Sequence, residues 1–457
     1  MSTNIQETIV AIATAQGEGA LGVIRLSGKD AIEIANSIFK GKDLTQQESH
    51  TLHYGFIKDG NKIIDEVMVS IFQAPKSYTT EDSIEISCHG SLYIQEQIVS
   101  LLITKGARLA NAGEFTLRAF LNGRINLSQA EAVADLIASN SESSKQIALN
   151  QLRGGFSTDL AEMRVQLINF ASLVELELDF SEEDVDFADR DALVALMNRI
   201  IAKLDPLILS FKLGNAIKNG INVAIVGKPN AGKSTLLNAL LNDERAIVSD
   251  IAGTTRDTIE EVLNIKGVLF RFVDTAGLRE TTDEIEKIGV EKAIQQIDKS
   301  SVYVYLFDMS TTNIEEVETE LSKLNKDIPR ILLANKTDLV SKEKQAEFKA
   351  SEHEFIFISA KEKLNIENLK KALYNKVIDA EISVNDTIVS NIRHYNSLKN
   401  AKEAIEASLN GIALGITGDL LAQDIRIALK ELGNITGDID IDEDILGNIF
   451  SKFCIGK

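Results

Sequence analysis

The sequence predicts a multidomain protein of mixed class: an α+β domain, a helical domain, and an α/β domain of P-loop type inserted into the helical one. Three observations predict this. A chain of 457 residues exceeds what one hydrophobic core holds. Short β-rich runs alternate with helical stretches up to about residue 120 and again from 216, with long helical patterns elsewhere. Finally, the apolar run Ile221–Val226 enters a glycine-rich loop that opens a helix. The expected division is 1–120, 121–215, 216–378 and 379–457, the second and fourth parts forming one helical domain around the third.

In chain order, Thr8–Ala13, Gly22–Leu26, Val67–Phe72 and Ser83–Ser87 read as strands, and Asp30–Phe39 and Leu92–Lys105 as helices. Leu160–Leu178 repeats apolar residues at three- and four-residue spacing, as a bundle helix does. Asn215–Gly220 reads as a linker. Beyond Ile378, Ser397–Leu409, Leu420–Leu432 and the closing Ile445–Lys457 carry helical character.

Composition excludes several classes. No apolar run reaches the eighteen or so residues of a membrane span, and the first twenty lack the pattern of a secretory signal. The two cysteines, Cys88 and Cys454, allow no disulfide framework and fit a reducing, cytoplasmic setting. Cys88-His89 cannot chelate jointly, because neighbours on a strand face opposite sides. A net charge of −20 argues against coating nucleic acid unaided. The excess is partly local: Glu175 to Asp191 holds nine acids and one base, Arg190, read as a solvated helix end or loop, with a docking surface for a basic partner or RNA-bound cation as the alternative.

Gly227-Lys228-Pro229-Asn230-Ala231-Gly232-Lys233-Ser234, then Thr235, is G-x-x-x-x-G-K-S between a strand and a helix. Its backbone N–H groups wrap phosphates, Lys233 reaches the β- and γ-phosphates, and Ser234 takes a Mg²⁺ position. Ser249–Asp257 supplies a switch loop with Thr255 as second Mg²⁺ ligand and Thr254 beside it. Val268–Val273 leads to Asp274-Thr275-Ala276-Gly277, set for water-mediated Mg²⁺ contact and the γ-phosphate. Ile331–Ala334 leads to Asn335-Lys336-Thr337-Asp338, whose Asp338 accepts two guanine N–H groups that adenine does not offer. Phe355–Ile358 leads to Ser359-Ala360-Lys361, whose backbone meets the guanine carbonyl. Four motifs in this order make the ligand GTP/GDP and the domain Ras-like. Leu278 stands where Ras-like enzymes place a water-orienting Gln, so either hydrolysis is slow or another group does that work.

The chain resembles the tRNA-modification GTPase family MnmE (TrmE). The carrying segments are Gly19–Gly28, Gly113-Glu114-Phe115, Arg118–Arg124, Asp250–Asp257, Asp274–Glu280 and the terminal Cys454-Ile455-Gly456-Lys457. The resemblance implies an N-terminal folate-binding and dimerisation domain, a homodimer, and an FAD-containing partner, MnmG (GidA). With that partner the family places an aminomethyl or carboxymethylaminomethyl group on C5 of the wobble uridine (U34) of certain tRNAs. A tetrahydrofolate derivative (5,10-methylene- or formyl-) supplies the one-carbon unit. Arg25, Glu85, Arg124 and Lys457 match the folate contacts. Cations suit the glutamate tail, and a carboxylate suits the pterin edge. The resemblance also implies K⁺ in place of an arginine finger, held at Asn230 with Ser249, Ile251 and Thr254, and Glu286 positioning the attacking water. Arg124 and Ser249 stand where the family commonly has lysine and threonine. Cys454 is carried over as a candidate nucleophile toward uridine C6 or a folate-site residue, a small packed or merely exposed cysteine being the equal alternative. An Era- or Der-like ribosome-assembly GTPase is the competing expectation. It would leave the terminal Cys-x-Gly-Lys unexplained and normally brings a basic domain absent here.

Overall fold

Alternating apolar and polar residues build the first sheet. The computed structural model describes residues 6–15, 17–179, 189–241, 261–272, 295–377, 387–437 and 456. The chain divides into two compact units: Met1–Ile137 with Gln151–Val165 and Leu429–Lys457, and Ala138–Asn150 with Gln166–Ala428.

In the first unit, β1 (Ile9–Ile12), β2 (Leu21–Ser27), β3 (Phe39–Lys40), β4 (Thr51–Asp59), β5 (Lys62–Phe72), β6 (Ser83–His89) and β7 (Arg108–Leu109) form one sheet. Its order is β3-β4-β5-β6-β2-β1-β7, antiparallel except that β7 runs parallel to β1. The strand period of two sends Val10, Ile24, Leu26, Val69, Ile84 and Ile86 to one face. There they meet Ile34 and Ile38 of α1 (Ala31–Ile38) and Ile98 and Leu102 of α2 (Leu92–Thr104). A one-residue slip would turn all of them to the other face, so burial sets the register. That register puts Arg25 opposite Glu85. The strand β4 adds to the sequence reading. Its Gly55 makes room for a ring, since a Cβ there would lie 2.4 Å from Phe39 Cζ.

Helices α3 (Glu114–Leu121) and α4 (Leu127–Ala138) follow, then α5 (Glu142–Leu152) and α6 (Gly155–Asp179). Glu114 and Arg118 on α3 have side chains 2 % and 1 % exposed and pair at 3.0 Å. Arg108 Nη2 also donates to Glu114 at 2.7 Å, and Arg118 reaches Glu81 at 3.0 Å and the Glu7 carbonyl at 2.8 Å. Burial pushes the Glu114 carboxyl up, but hydrogen bonds from Arg108, the Asn111 N–H and Arg118 outweigh it and hold it below its usual range. A depressed carboxyl contributes stability that is complete above the ordinary carboxylate range and is lost as pH falls through its folded value. Glu114→Gln is therefore expected to destabilise the N-terminal unit by about 3 kcal/mol at neutral pH. Denaturation followed by circular dichroism should show the gap to the unmodified protein narrowing in acid; a gap constant with pH would contradict this account.

In the second unit, α7 (Arg190–Asn219) leads into β8 (Ile221–Val226), α8 (Lys233–Leu241), β9 (Glu261–Ile265), β10 (Val268–Phe272), β11 (Val302–Asp308) and α9 (Ile314–Ser322). Then come β12 (Arg330–Asn335), α10 (Lys342–Lys349), β13 (Phe355–Phe357), α11 (Ile366–Val377), α12 (Ile392–Leu414) and α13 (Gly418–Thr436). The linker read at Asn215–Gly220 is instead the last turn of α7. Ala216 and Ile217 are buried there, and Gly220 ends the helix at φ 76°. Beyond the α/β domain the chain returns to α7: Phe211 and Tyr395 of α12 stack at 4.3 Å, and Val389 N–H donates to Ser210 Oγ at 3.0 Å. The helical segments before and after the α/β domain thus meet one another.

The second sheet has the order β13-β12-β11-β8-β10-β9, parallel apart from the β9–β10 hairpin. Its strands are apolar on both faces because helices cover both. Val223, Ile225, Val304 and Leu306 meet Leu236 of α8 and Leu369 of α11. Ala224, Tyr303, Tyr305 and Phe307 meet Val317 of α9 and Phe348 of α10. The helical reading of Ile445–Lys457 falls outside the described residues, Gly456 excepted. Gly456 is buried against β1, where a Cβ would lie 2.2 Å from the Ile12 carbonyl oxygen.

Candidate functional site

In an open α/β sheet, ligands bind beyond the carboxyl ends of the strands where chain order reverses. Here β8 lies between β11 and β10, and its carboxyl end carries residues 227–232. Gly227 has φ 152°, and a Cβ would sit 2.0 Å from the Leu306 carbonyl oxygen, so only glycine allows this turn. Gly232, at φ 100°, leaves space that a Cβ would close 2.4 Å from Asn335 Nδ2. Asn230 takes a left-handed φ of 61° without being glycine, a cost typical of functional loops.

Asn335 ties three motifs together. Only 2 % exposed, it donates from Nδ2 to the Ala231 carbonyl at 2.8 Å and accepts at Oδ1 from the Ala360 N–H at 3.0 Å. Thr337 adds Oγ1 to the Ile358 carbonyl at 2.9 Å, and Ser359 pairs with Leu364 across the last loop. Lys336, also left-handed at φ 61°, gives Nζ to Asp308 Oδ2 at 2.6 Å. Burial raises the Asp308 carboxyl, but the hydrogen bonds from Lys336 and Ser310 win and hold it below its usual range. Asp338 and Lys361 are exposed at the same loops.

Lys233 opens α8. Its Nζ donates to the carbonyls of Gly227 at 2.6 Å and Lys228 at 3.0 Å, and burial pushes the ammonium below its usual range. A half-buried cation at a helix N-terminus, beside a glycine-rich loop, fits a polyphosphate well. Ser234 and Thr235 are exposed beside it, so the Ser234 hydroxyl is available to a Mg²⁺ ion. Ser249, Ile251, Thr254, Thr255, Asp274, Thr275, Ala276, Gly277 and Glu286 lie outside the described residues.

A second cluster stands in the first unit. Arg25 donates from Nε and Nη2 to Glu85 Oε1 at 2.9 and 2.7 Å, as their register dictates. Arg124, from the loop after α3, lies 5.0 Å from the centroid of the Tyr78 ring, and Arg25 lies 5.7 Å from the same ring. Three of the residues matched to folate contacts are therefore together, while Lys457 and Cys454 lie outside the described residues. Sequence reasoning missed Tyr78 and Glu114. The only available signal for Glu114 was its place in a family segment, where its buried pairing could not be read.

Cys88 is buried and points away from His89, and burial pushes its thiol up to about 11, so it is a packed, unreactive cysteine. His89 instead bonds Asp65 at 2.7 Å. Among the described residues, no group of three or more His, Cys, Asp or Glu gathers for a metal, and no helix is long and apolar enough to cross a membrane.

Comparison with known proteins covers the whole chain. Residues 8–124 match the family described as GTP-binding protein TrmE N-terminus, and residues 127–454 match the MnmE helical domain. The chain is 55 % identical to the tRNA modification GTPase MnmE of Flavobacterium psychrophilum, over 99 % of both chains. It is 54 % identical to that of Flavobacterium johnsoniae over 99 % of both. With that of Cytophaga hutchinsonii it shares 53 % identity over 100 % of this chain and 99 % of the relative.

Proposed function

This chain belongs to the MnmE family of tRNA modification GTPases, and from that premise we propose a K⁺-dependent cycle coupled to the wobble uridine of tRNA. In this reading a homodimer in the cytoplasm works with an FAD-containing MnmG/GidA partner. Together they add an aminomethyl or carboxymethylaminomethyl group at C5 of U34, using a tetrahydrofolate one-carbon unit. The observation that carries the reading is that one chain holds both an assembled guanine-nucleotide loop set and, in its N-terminal unit, Arg25, Glu85 and Arg124 gathered at one aromatic ring. A ribosome-assembly role would leave that second cluster, and the similarity over residues 8–124, without a purpose.

Each residue then has a defined task. Loop N–H groups and Lys233 hold the phosphates, Asp338 selects guanine, and the bonds of Asn335 keep both loops in register. Ser234 and Thr255 would hold Mg²⁺, which supplies charge neutralisation at phosphate oxygens. Asn230, with Ser249, Ile251 and Thr254, would hold K⁺, replacing an arginine finger. Glu286 would orient the attacking water, the part that Leu278 cannot play. Arg25, Glu85, Arg124 and Lys457 would bind the folate, and Cys454 is the candidate nucleophile toward uridine.

The test is GTP hydrolysis by purified protein in matched KCl and NaCl, with Glu286→Ala alongside. Hydrolysis is expected to be strongly faster in KCl, and the variant to lose about 10²-fold or more of that rate. Equal rates in the two salts would leave a GTPase and remove the cation-dependent mechanism.

A further inference from the structure

Tyr78 lies between β5 and β6, and no motif marks it. Its half-buried ring packs beside Ile9, Ala11, Ala110 and Phe115, and its hydroxyl is 3.0 Å from Thr116 Oγ1. The loop around it is tied down on several sides. Asn122 Nδ2 donates to the Thr79 carbonyl at 2.7 Å, Thr79 Oγ1 lies 2.6 Å from Ser27 Oγ, and Arg118 grips Glu81 at 3.0 Å. The ring is thus a fixed object.

The two guanidiniums that meet it differ. Arg25 is neutralised by Glu85 at 2.7 Å and also lies 5.8 Å from the Phe115 ring centroid. Arg124 is exposed, follows Gly123 at φ 72°, and among the described residues has no carboxylate partner. Its ordering contact is the Tyr78 ring at 5.0 Å. An exposed arginine samples many rotamers and loses that freedom when it takes a carboxylate. An aromatic face attracts the guanidinium through the ring quadrupole and restricts it in advance.

We propose that Tyr78 is a positioning residue of the folate site, its ring holding the Arg124 guanidinium in place for a ligand carboxylate next to the Arg25–Glu85 pair. The proposal rests on reading Arg25, Glu85 and Arg124 as folate contacts. Because Glu85 and Phe115 hold Arg25 independently, loss of Tyr78 acts on the carboxylate end of the ligand and leaves recognition of the pterin edge in place.

The experiment is equilibrium binding to the full chain of 5-formyltetrahydrofolate and of a tetrahydropterin lacking the glutamate tail. The proteins are the unmodified chain, Tyr78→Phe, Tyr78→Leu, Arg124→Ala and the double variant Tyr78→Leu/Arg124→Ala. Tyr78→Phe keeps the ring and should bind the folate within about two-fold of the unmodified chain. Tyr78→Leu should bind it roughly three- to ten-fold more weakly, with the tailless pterin unaffected. In the double variant, the loss should equal that of Arg124→Ala alone, since one residue acts through the other. Thermal melting checks folding, and Tyr78→Met serves as the ringless variant if leucine is not tolerated. Unchanged folate binding by the ringless variant, equal weakening of both ligands, or full additivity with Arg124→Ala would overturn the proposal. An unmodified chain that binds no folate would overturn the folate reading itself, a separate outcome.

Discussion

Asp338→Asn is expected to weaken GTP binding by about 10²–10³-fold and to confer binding of xanthosine triphosphate. In the proposed reading the carboxylate accepts both N–H groups of the guanine edge, and each charge-assisted hydrogen bond contributes roughly 1.5–3 kcal/mol. Asparagine offers one acceptor and one donor, so the guanine amino group meets a donor while a xanthine carbonyl meets a partner. The substitution should leave the scaffold intact, because Asp338 is exposed. The neighbouring loop is held by Asn335, by Thr337 and by the 2.6 Å Lys336–Asp308 pair. Competition between the two triphosphates, measured by equilibrium binding, checks this. A variant that still preferred GTP would mean that base recognition rests on other groups.

Lys233→Ala is expected to reduce GTP hydrolysis by about 10²–10³-fold, the size of effect seen when one preorganised charge at a transition state is removed. The loss should exceed what weaker binding explains, so a single-turnover measurement at saturating nucleotide separates the two. The reason lies in the geometry. Lys233 Nζ rests on the Gly227 and Lys228 carbonyls, half-buried, with its charged form disfavoured by burial. A phosphate oxygen is a better partner than two carbonyls, and the partly buried setting strengthens the exchange. Retention of most hydrolysis at saturation would show that the ammonium serves binding alone.

Much of the nucleotide site was legible because its signals are local. A strand, a loop needing glycine and a helix N-terminus are consecutive in sequence. The same local logic read β1, β2, α1 and α2, whose periodicity is regular. It failed at Asn215–Gly220, where polar residues at the end of α7 read as a break although Ala216 and Ile217 are buried. It also passed over β4, whose Gly55 matters only because the Phe39 ring crosses it.

The sequence by itself determined the family and the class of nucleotide, because these depend on chemistry carried by short contiguous motifs. The tertiary structure alone decided which distant residues meet. Strand register placed Arg25 opposite Glu85, and loop packing brought Tyr78 and Arg124 to them. Burial turned Glu114 and Arg118 from two surface-type charges into a paired support, and the bonds of Asn335 made one site of loops about a hundred residues apart. The physical reason is that such contacts exist only once the burial of apolar strands and helices has closed the chain upon itself, and no local pattern encodes the partner that will arrive.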